Sequence, residues 1–453
     1  MPQKLLVYTP KITNRIRYIF DFLFKEMMGL KVVFTSQADE FKQTTSAKLN
    51  YSSRRLSDKE LFFYASPFLF ERRTKPQHIK VEWYEGVPIF FINRNNSDLP
   101  FDPFAASFYL LSRYEEYLPD VKLDQHGRYM PENSLAYQHG FLQKPVVDIW
   151  AQQLAKVLLR YFPELPLDFR PYWFMPTYDI DIAYSYSHKG VLRTVAGWLK
   201  ALYKQDKAEL RQRWAVLRQK EKDPYDTYEW QYELQKNYQL QPIYFFPASN
   251  YGIYDKNVLI DKPALQSLIQ FISDVCPIGI HPSYESHKDP QILAIEIRRL
   301  SEVIKKEVIR SRQHYLKMTI PNTYQNLIEL DIKEDYTMGY ASQIGFRAGT
   351  CSSFYFYDLT WEIRSTLRIF PFALMDVTLN NYLHLSPEQA LEQVQNLIQE
   401  VKAVNGLFCT IWHNHSLCDE GEWQGWRSMY EQIIQMATHA KHTELKAPYR
   451  YGL

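Results

Sequence analysis

The sequence predicts an α/β protein in which a parallel sheet or (β/α) barrel is preceded by a smaller α/β unit. Three observations carry that class. Beyond about residue 240, short apolar β-favouring runs alternate with helical patterns, the mark of parallel strands joined by helices. The polar motifs all stand at the ends of such runs, where open α/β sheets and barrels bind their ligands. A proline-rich loop, Pro163 to Pro176, divides the chain into residues 1–165 and 166–453, and 453 residues exceed one ordinary core.

The elements follow in order. Met1 to Tyr8 reads as an immediate strand, Asn14 to Met28 as a helix and Leu30 to Thr35 as a strand. Val81–Tyr84 and Val87–Ile92 form a hairpin about Glu85-Gly86. Pro103–Tyr117 and Trp150–Tyr161 are amphipathic helices, and Arg113-Tyr114-Glu115-Glu116 reads as a solvated helix end. After the proline loop come the strand Tyr172–Tyr178 and a basic helical insertion near residues 190–225. That insertion reads as a solvated face, with contact to a membrane surface or polyanion as the alternative. Strands then fall at Pro242–Phe246, Pro277–His281, His314–Met318, Gly345–Arg347, Phe372–Val377 and Leu407–Trp412. Helices fall at Lys262–Val275, Pro290–Ile309, Thr323–Leu330 and Pro387–Val404.

Composition excludes several classes. The 53 Lys and Arg balance 51 Asp and Glu to a net charge of +2, so no global field favours nucleic acid or an anionic membrane. No apolar window reaches transmembrane length and no secretory leader is evident, so a cytoplasmic protein, or one peripheral to a membrane, is expected. Four cysteines without C-x-x-C spacing are too few for a disulfide scaffold and read as inert buried thiols. The 34 Tyr, 27 Phe and 10 Trp suit sugar-stacking surfaces but equally an aromatic core.

The chemistry-bearing residues are Asp179 and Asp181 in Pro176-Thr177-Tyr178-Asp179-Ile180-Asp181, His281 in Gly279-Ile280-His281-Pro282, and His413 in Thr410-Ile411-Trp412-His413. Each stands where an apolar run ends, so a parallel sheet delivers carboxylates and imidazoles to one edge. Asp376, in Leu374-Met375-Asp376-Val377, ends another run and is placed to orient the imidazole of His413. Carboxylate oxygen with imidazole nitrogen suits zinc, with cobalt, nickel and manganese as alternatives.

The order of these motifs resembles that of the NodB-type polysaccharide deacetylases, carbohydrate esterase family 4, over Thr177 to His413, with D-x-D in place of adjacent aspartates. Tyr244-Phe245-Phe246-Pro247 resembles that family's second strand. The resemblance implies a distorted (β/α) barrel, a divalent metal, usually zinc, and removal of acetyl groups from an acetylated glycan. It also implies roles: Asp179 as base, Asp181 and His281 as metal ligands, Arg347 as the arginine that holds the base, and His413 as general acid. The second motif departs from the family's H-x-x-x-H. Glu285 stands four residues after His281, and Glu285, His287 and His314 remain alternatives for the third ligand. Two other readings are a D-x-D metal-dependent glycosyltransferase, which leaves both histidines idle, and a non-catalytic carbohydrate-binding protein on a degenerate barrel.

Overall fold

Two parallel sheets organise the molecule. The computed structural model describes residues 4–438, so Met1–Gln3 of the first expected strand and residues 439–453 of the second unit lie outside the described residues. In the first sheet β1 (Lys4–Tyr8), β2 (Lys31–Thr35), β3 (Lys48–Ser52) and β4 (Leu61–Tyr64) lie in the order β2-β1-β3-β4, every pair parallel. The expected hairpin forms as β5 (Glu82–Tyr84) and β6 (Val87–Ile89), with Glu85 and Gly86 both at positive φ in the turn.

The second sheet is built from β7 (Trp173–Asp179), β8 (Ile243–Phe246), β9 (Ile278–Ile280), β10 (Arg310–Ser311), β11 (Glu334–Asp335), β12 (Phe354–Asp358), β13 (Ile363–Ile369), β14 (Leu374–Met375) and β15 (Leu407–His413). Its order is β12-β13-β11-β10-β9-β8-β7-β15-β14, parallel except for the antiparallel β12-β13 pair. No closed sheet is found among the described residues, which departs from the expected barrel. The physical reason lies at the seam: β14 and β11 are only two residues long, and β13 takes an antiparallel partner on its far side. The sheet nevertheless curves. Met175, Phe245, Tyr336, Phe370, Phe372 and Ile411, from both ends of the strand order, meet in one apolar cluster.

A second, larger cluster runs from Leu5 to Ala437 and includes both sheets and their helices, so the N-terminal sheet shares a hydrophobic core with the rest. Arg15 of the first unit pairs with Glu362 of the second across this junction.

Helix ends follow local chemistry. Asp102 accepts from the N–H groups of Phe104 and Ala105 (both 3.0 Å) and Pro103 occupies the first helical turn, which starts the helix Pro103–Leu111. That helix stops short of Tyr117 because Arg113 adopts a left-handed conformation, φ 51°, followed by the 3-10 turn Tyr114–Tyr117. The solvated helix end expected here is instead buried. Arg113, Glu115 and Glu116 form an ion-pair network inside the molecule. A second difference concerns His314–Met318. The strand is the two-residue β10 just before it, while Tyr315 and Leu316 are left-handed in a 3-10 turn beginning at His314.

Candidate functional site

Parallel register builds the site. β15 pairs with β7 so that His413 lies opposite Asp179, and β8 pairs on the other side with Phe245 opposite Asp179. His281 follows β9, His314 lies three residues beyond β10, and Asp376 follows β14, so all these groups gather at the carboxyl ends of neighbouring strands. The residue before His413, Trp412, points the opposite way by the two-residue period of a strand and is fully buried against Tyr430, centroids 4.3 Å apart. Trp412 is therefore core, not a wall of the pocket.

Asp181 sits at the centre. One oxygen lies 3.1 Å from His281 Nε2, the other 3.4 Å from His314 Nε2 and 3.6 Å from His413 Nε2. Burial opposes its ionisation, but the imidazoles of His314 and His413 outweigh that and hold Asp181 well below the ordinary carboxylate range. Asp181, His281 and His314 offer one ligand atom each within 4.8 Å of one another, the arrangement of a metal site. Of the three sequence alternatives for the third ligand, His314 occupies this cluster. Glu285 is exposed, and His287 lies against Thr319 and Thr323.

The second layer favours metal binding. Nδ1 of His281 donates to the Arg312 carbonyl at 2.7 Å, which leaves Nε2 as the lone pair facing Asp181. Nδ1 of His314 bonds Asp255 Oδ1 at 3.0 Å. Burial lowers the His314 pKa, but Asp181 and Asp255 reverse this and raise it to about 10. Asp181 Oδ1 is buried with no hydrogen-bond donor. With a cation in place of the His314 proton, two imidazole nitrogens and a carboxylate oxygen would form a donor set that suits a divalent ion.

Asp179 is held differently from the sequence expectation. Arg312, fully buried, donates from Nη1 to Asp179 Oδ1 at 2.8 Å and to Thr177 at 2.7 Å, and its guanidinium lies 4.4 Å from the Phe245 ring centre. Arg347, expected to hold this aspartate, instead forms a two-pronged pair with Glu116 at 2.9 and 2.6 Å. The reason is topological. Arg347 lies in a loop whose neighbours come from the N-terminal unit, whereas Arg312 leaves β10, on the strand side facing β7 through β8 and β9. Replacing Arg347 with Met is expected to leave Glu116 buried with half its cationic partners and to lower stability by about 3–5 kcal/mol, read by denaturant unfolding. Metal content should not change.

His413 and Asp376 form a rigid pair. Asp376, fully buried, accepts from the backbone N–H and the Nδ1 of His413, both at 2.7 Å, and from the Ser416 hydroxyl. His415 also borders the cleft, and burial together with His413 pushes it down to about 4, so it stays neutral.

The cleft has a volume of about 200 Å3 and is lined by these groups together with Leu316, Met375, Val377 and Tyr382. The N-terminal unit reaches it through Arg128, which is fixed by Asp124 (2.6 Å), the Tyr315 carbonyl (2.9 Å) and the Tyr382 hydroxyl (3.0 Å). Sequence reasoning missed Arg312, Asp255 and Arg128. None ends an apolar run of useful length, so no periodic signal marked them.

Residues 5–163 match a family of unknown function, DUF7033. No curated protein matches the chain. Among solved structures, a protein named as a polysaccharide deacetylase from Mycobacterium smegmatis is 12% identical, with 60% of this chain and 88% of that chain covered and a TM-score of 0.39. The Xyl-CE4 domain of a multidomain xylanase from the hindgut metagenome of Trinervitermes trinervoides is also 12% identical, covering 59% and 81%, with a TM-score of 0.26. The superposition is partial in both.

Proposed function

We propose that the chain is a metal-dependent hydrolase that removes acetyl groups from a glycan, with Asp181, His281 and His314 holding a divalent cation, zinc by its donor set. The observation that carries the reading is the convergence of this ligand cluster with two separately clamped proton carriers, Asp179 and His413, in one cleft. A cation there supplies a Lewis acid that polarises a carbonyl and acidifies water. Asp179, anchored by Arg312 through one oxygen, keeps the other on the His281 side, 4.0 Å from Nε2, to take a proton from the attacking water. His413, protonated and oriented by Asp376, returns a proton to the departing amine. An amide needs that proton because an amine anion is a poor leaving group.

A glycosyltransferase built on Asp179 and Asp181 gains no support from this geometry, because Asp179 spends an oxygen on Arg312 and the imidazoles crowd Asp181. The test is acetate release from acetylated amino-sugar oligosaccharides by purified protein, alongside metal analysis. Asp181→Ala, His281→Ala and His314→Ala should each lose the metal and more than 99% of activity, roughly the cost of a lost catalytic metal. Glu285→Ala and His287→Ala should retain both. Full metal occupancy in His314→Ala overturns the ligand assignment.

A further inference from the structure

The helix Val191–Tyr203 presents an apolar stripe that nothing among the described residues covers. Val191, Val195, Leu199 and Leu202 recur every three to four residues, and Leu192 and Tyr203 widen the same face. All six are exposed, Leu192 by 86%, Leu199 by 62% and Tyr203 by 90%. The inward side is made instead by Gly197 and the buried Ala201. A Cβ on Gly197 would meet the Arg213 guanidinium at 2.4 Å, so the helix docks on its neighbour Lys207–Leu217 by its small residues. Among the described residues the apolar face is therefore left without a packing partner.

Charge accompanies it. Residues 189–222 carry ten Lys and Arg against three Asp and Glu, in a chain whose net charge is only +2. Lys200, Lys204, Lys207 and Arg211 are exposed, and none forms an ion pair among the described residues. Position completes the picture. The insertion leaves the carboxyl end of β7, and Arg193 fastens it to the loop after β8, donating to the Asn257 carbonyl at 3.0 Å and lying 4.4 Å from the Tyr251 ring centre. That loop carries Asp255, which bonds His314, and it too exposes apolar side chains, Ile253 by 81% and Tyr251. The insertion is thus fastened to the loop that supports the cleft through Asp255.

We propose that this helix and the Tyr251–Ile253 loop seat the protein on an anionic lipid bilayer. Apolar side chains would enter the headgroup boundary, and the unpaired Lys and Arg would meet the phosphates. Resting on the deacetylase reading, the substrate class follows: an acetylated glycan attached to a lipid, presented at the membrane surface beside the cleft.

The test is co-sedimentation of the full chain with vesicles of phosphatidylcholine alone or mixed with phosphatidylglycerol. Binding to the anionic vesicles is expected, falling as salt rises. The double variant Leu192→Asp and Leu199→Asp should lower the partition coefficient by about tenfold or more, since it puts charge into the apolar stripe. Its circular dichroism and its hydrolysis of water-soluble acetylated oligosaccharides should stay unchanged. Lys200→Glu with Lys204→Glu is the second variant, and it should weaken binding most at low salt. Wild-type protein that stays in solution with anionic vesicles overturns the proposal. So does vesicle binding that neither variant reduces, or a wild-type dimer that the leucine variant splits, which would assign the stripe to a second copy. Vesicle binding without acetate release from any substrate would leave the membrane proposal standing and remove only the deacetylase reading.

Discussion

Asp179→Asn is expected to lower kcat for acetate release by roughly 10² to 10⁴, the worth of a positioned general base, while metal stoichiometry stays at the wild-type level. The asparagine oxygen still accepts from Arg312, so the side chain keeps its place, but it no longer takes a proton. The metal should be unaffected, because the proposed ligand atoms belong to Asp181, His281 and His314. Arg312→Lys is the companion. A lysine keeps the charge but not the fork that reaches Thr177, Asp179 and the Tyr336 carbonyl together, so kcat should fall with little change in KM. Asp179→Asn with undiminished turnover, or with the metal lost, removes Asp179 from the role of base.

The second large effect belongs to His413. His413→Ala should depress amide hydrolysis by roughly 10² or more and hydrolysis of activated acetyl esters far less, because a good leaving group needs no proton. Equal losses on both substrates would reduce His413 to a positioning residue. Its pH behaviour gives a separate reading. Burial lowers the His413 pKa, but the carboxylates of Asp376 and Asp181 more than reverse this and raise it to about 9. A raised imidazole pKa means the acid form is present below that value and is lost as pH rises through it. A cation held at Asp181 would offset part of the Asp181 contribution, so the alkaline limb of the metal-loaded protein is expected below about 9. Asp376→Asn removes the larger of the two carboxylate contributions, and the limb of kcat should move further toward neutral pH. An unmoved limb would show that the limb reports another group.

Much of the fold was legible because strand and helix signals are local. The runs ending at Asp179, His281, Asp376 and His413 each became a strand, and the helices Pro263–Val275 and Pro387–Ala403 lie within a residue of their expected bounds. Failures came where an element is too short to leave a period. β10 and β11, two residues each, were missed or misplaced, and with them went the positions of Arg312 and His314. The antiparallel β12-β13 pair was also missed, although Tyr355 and Phe356 with Ile363 to Ile369 suit strands. Its loss matters, because this pair occupies the flank on which a closing barrel would need β14.

The sequence by itself determined which carboxylates and imidazoles stand at strand ends, since an apolar run forms a strand and the polar residue that closes it emerges at the rim. Only the tertiary structure decided who meets whom. It placed His314, and not Glu285 or His287, beside Asp181 and His281, gave Asp179 to Arg312 and Arg347 to Glu116, and turned the apolar stripe of the insertion outward. Those choices depend on strand order and on which buried charge lies nearest across the core. Burying an arginine without a counter-charge costs several kcal/mol, so each guanidinium is bound to the acid its own loop can reach, and sequence spacing carries no record of that distance.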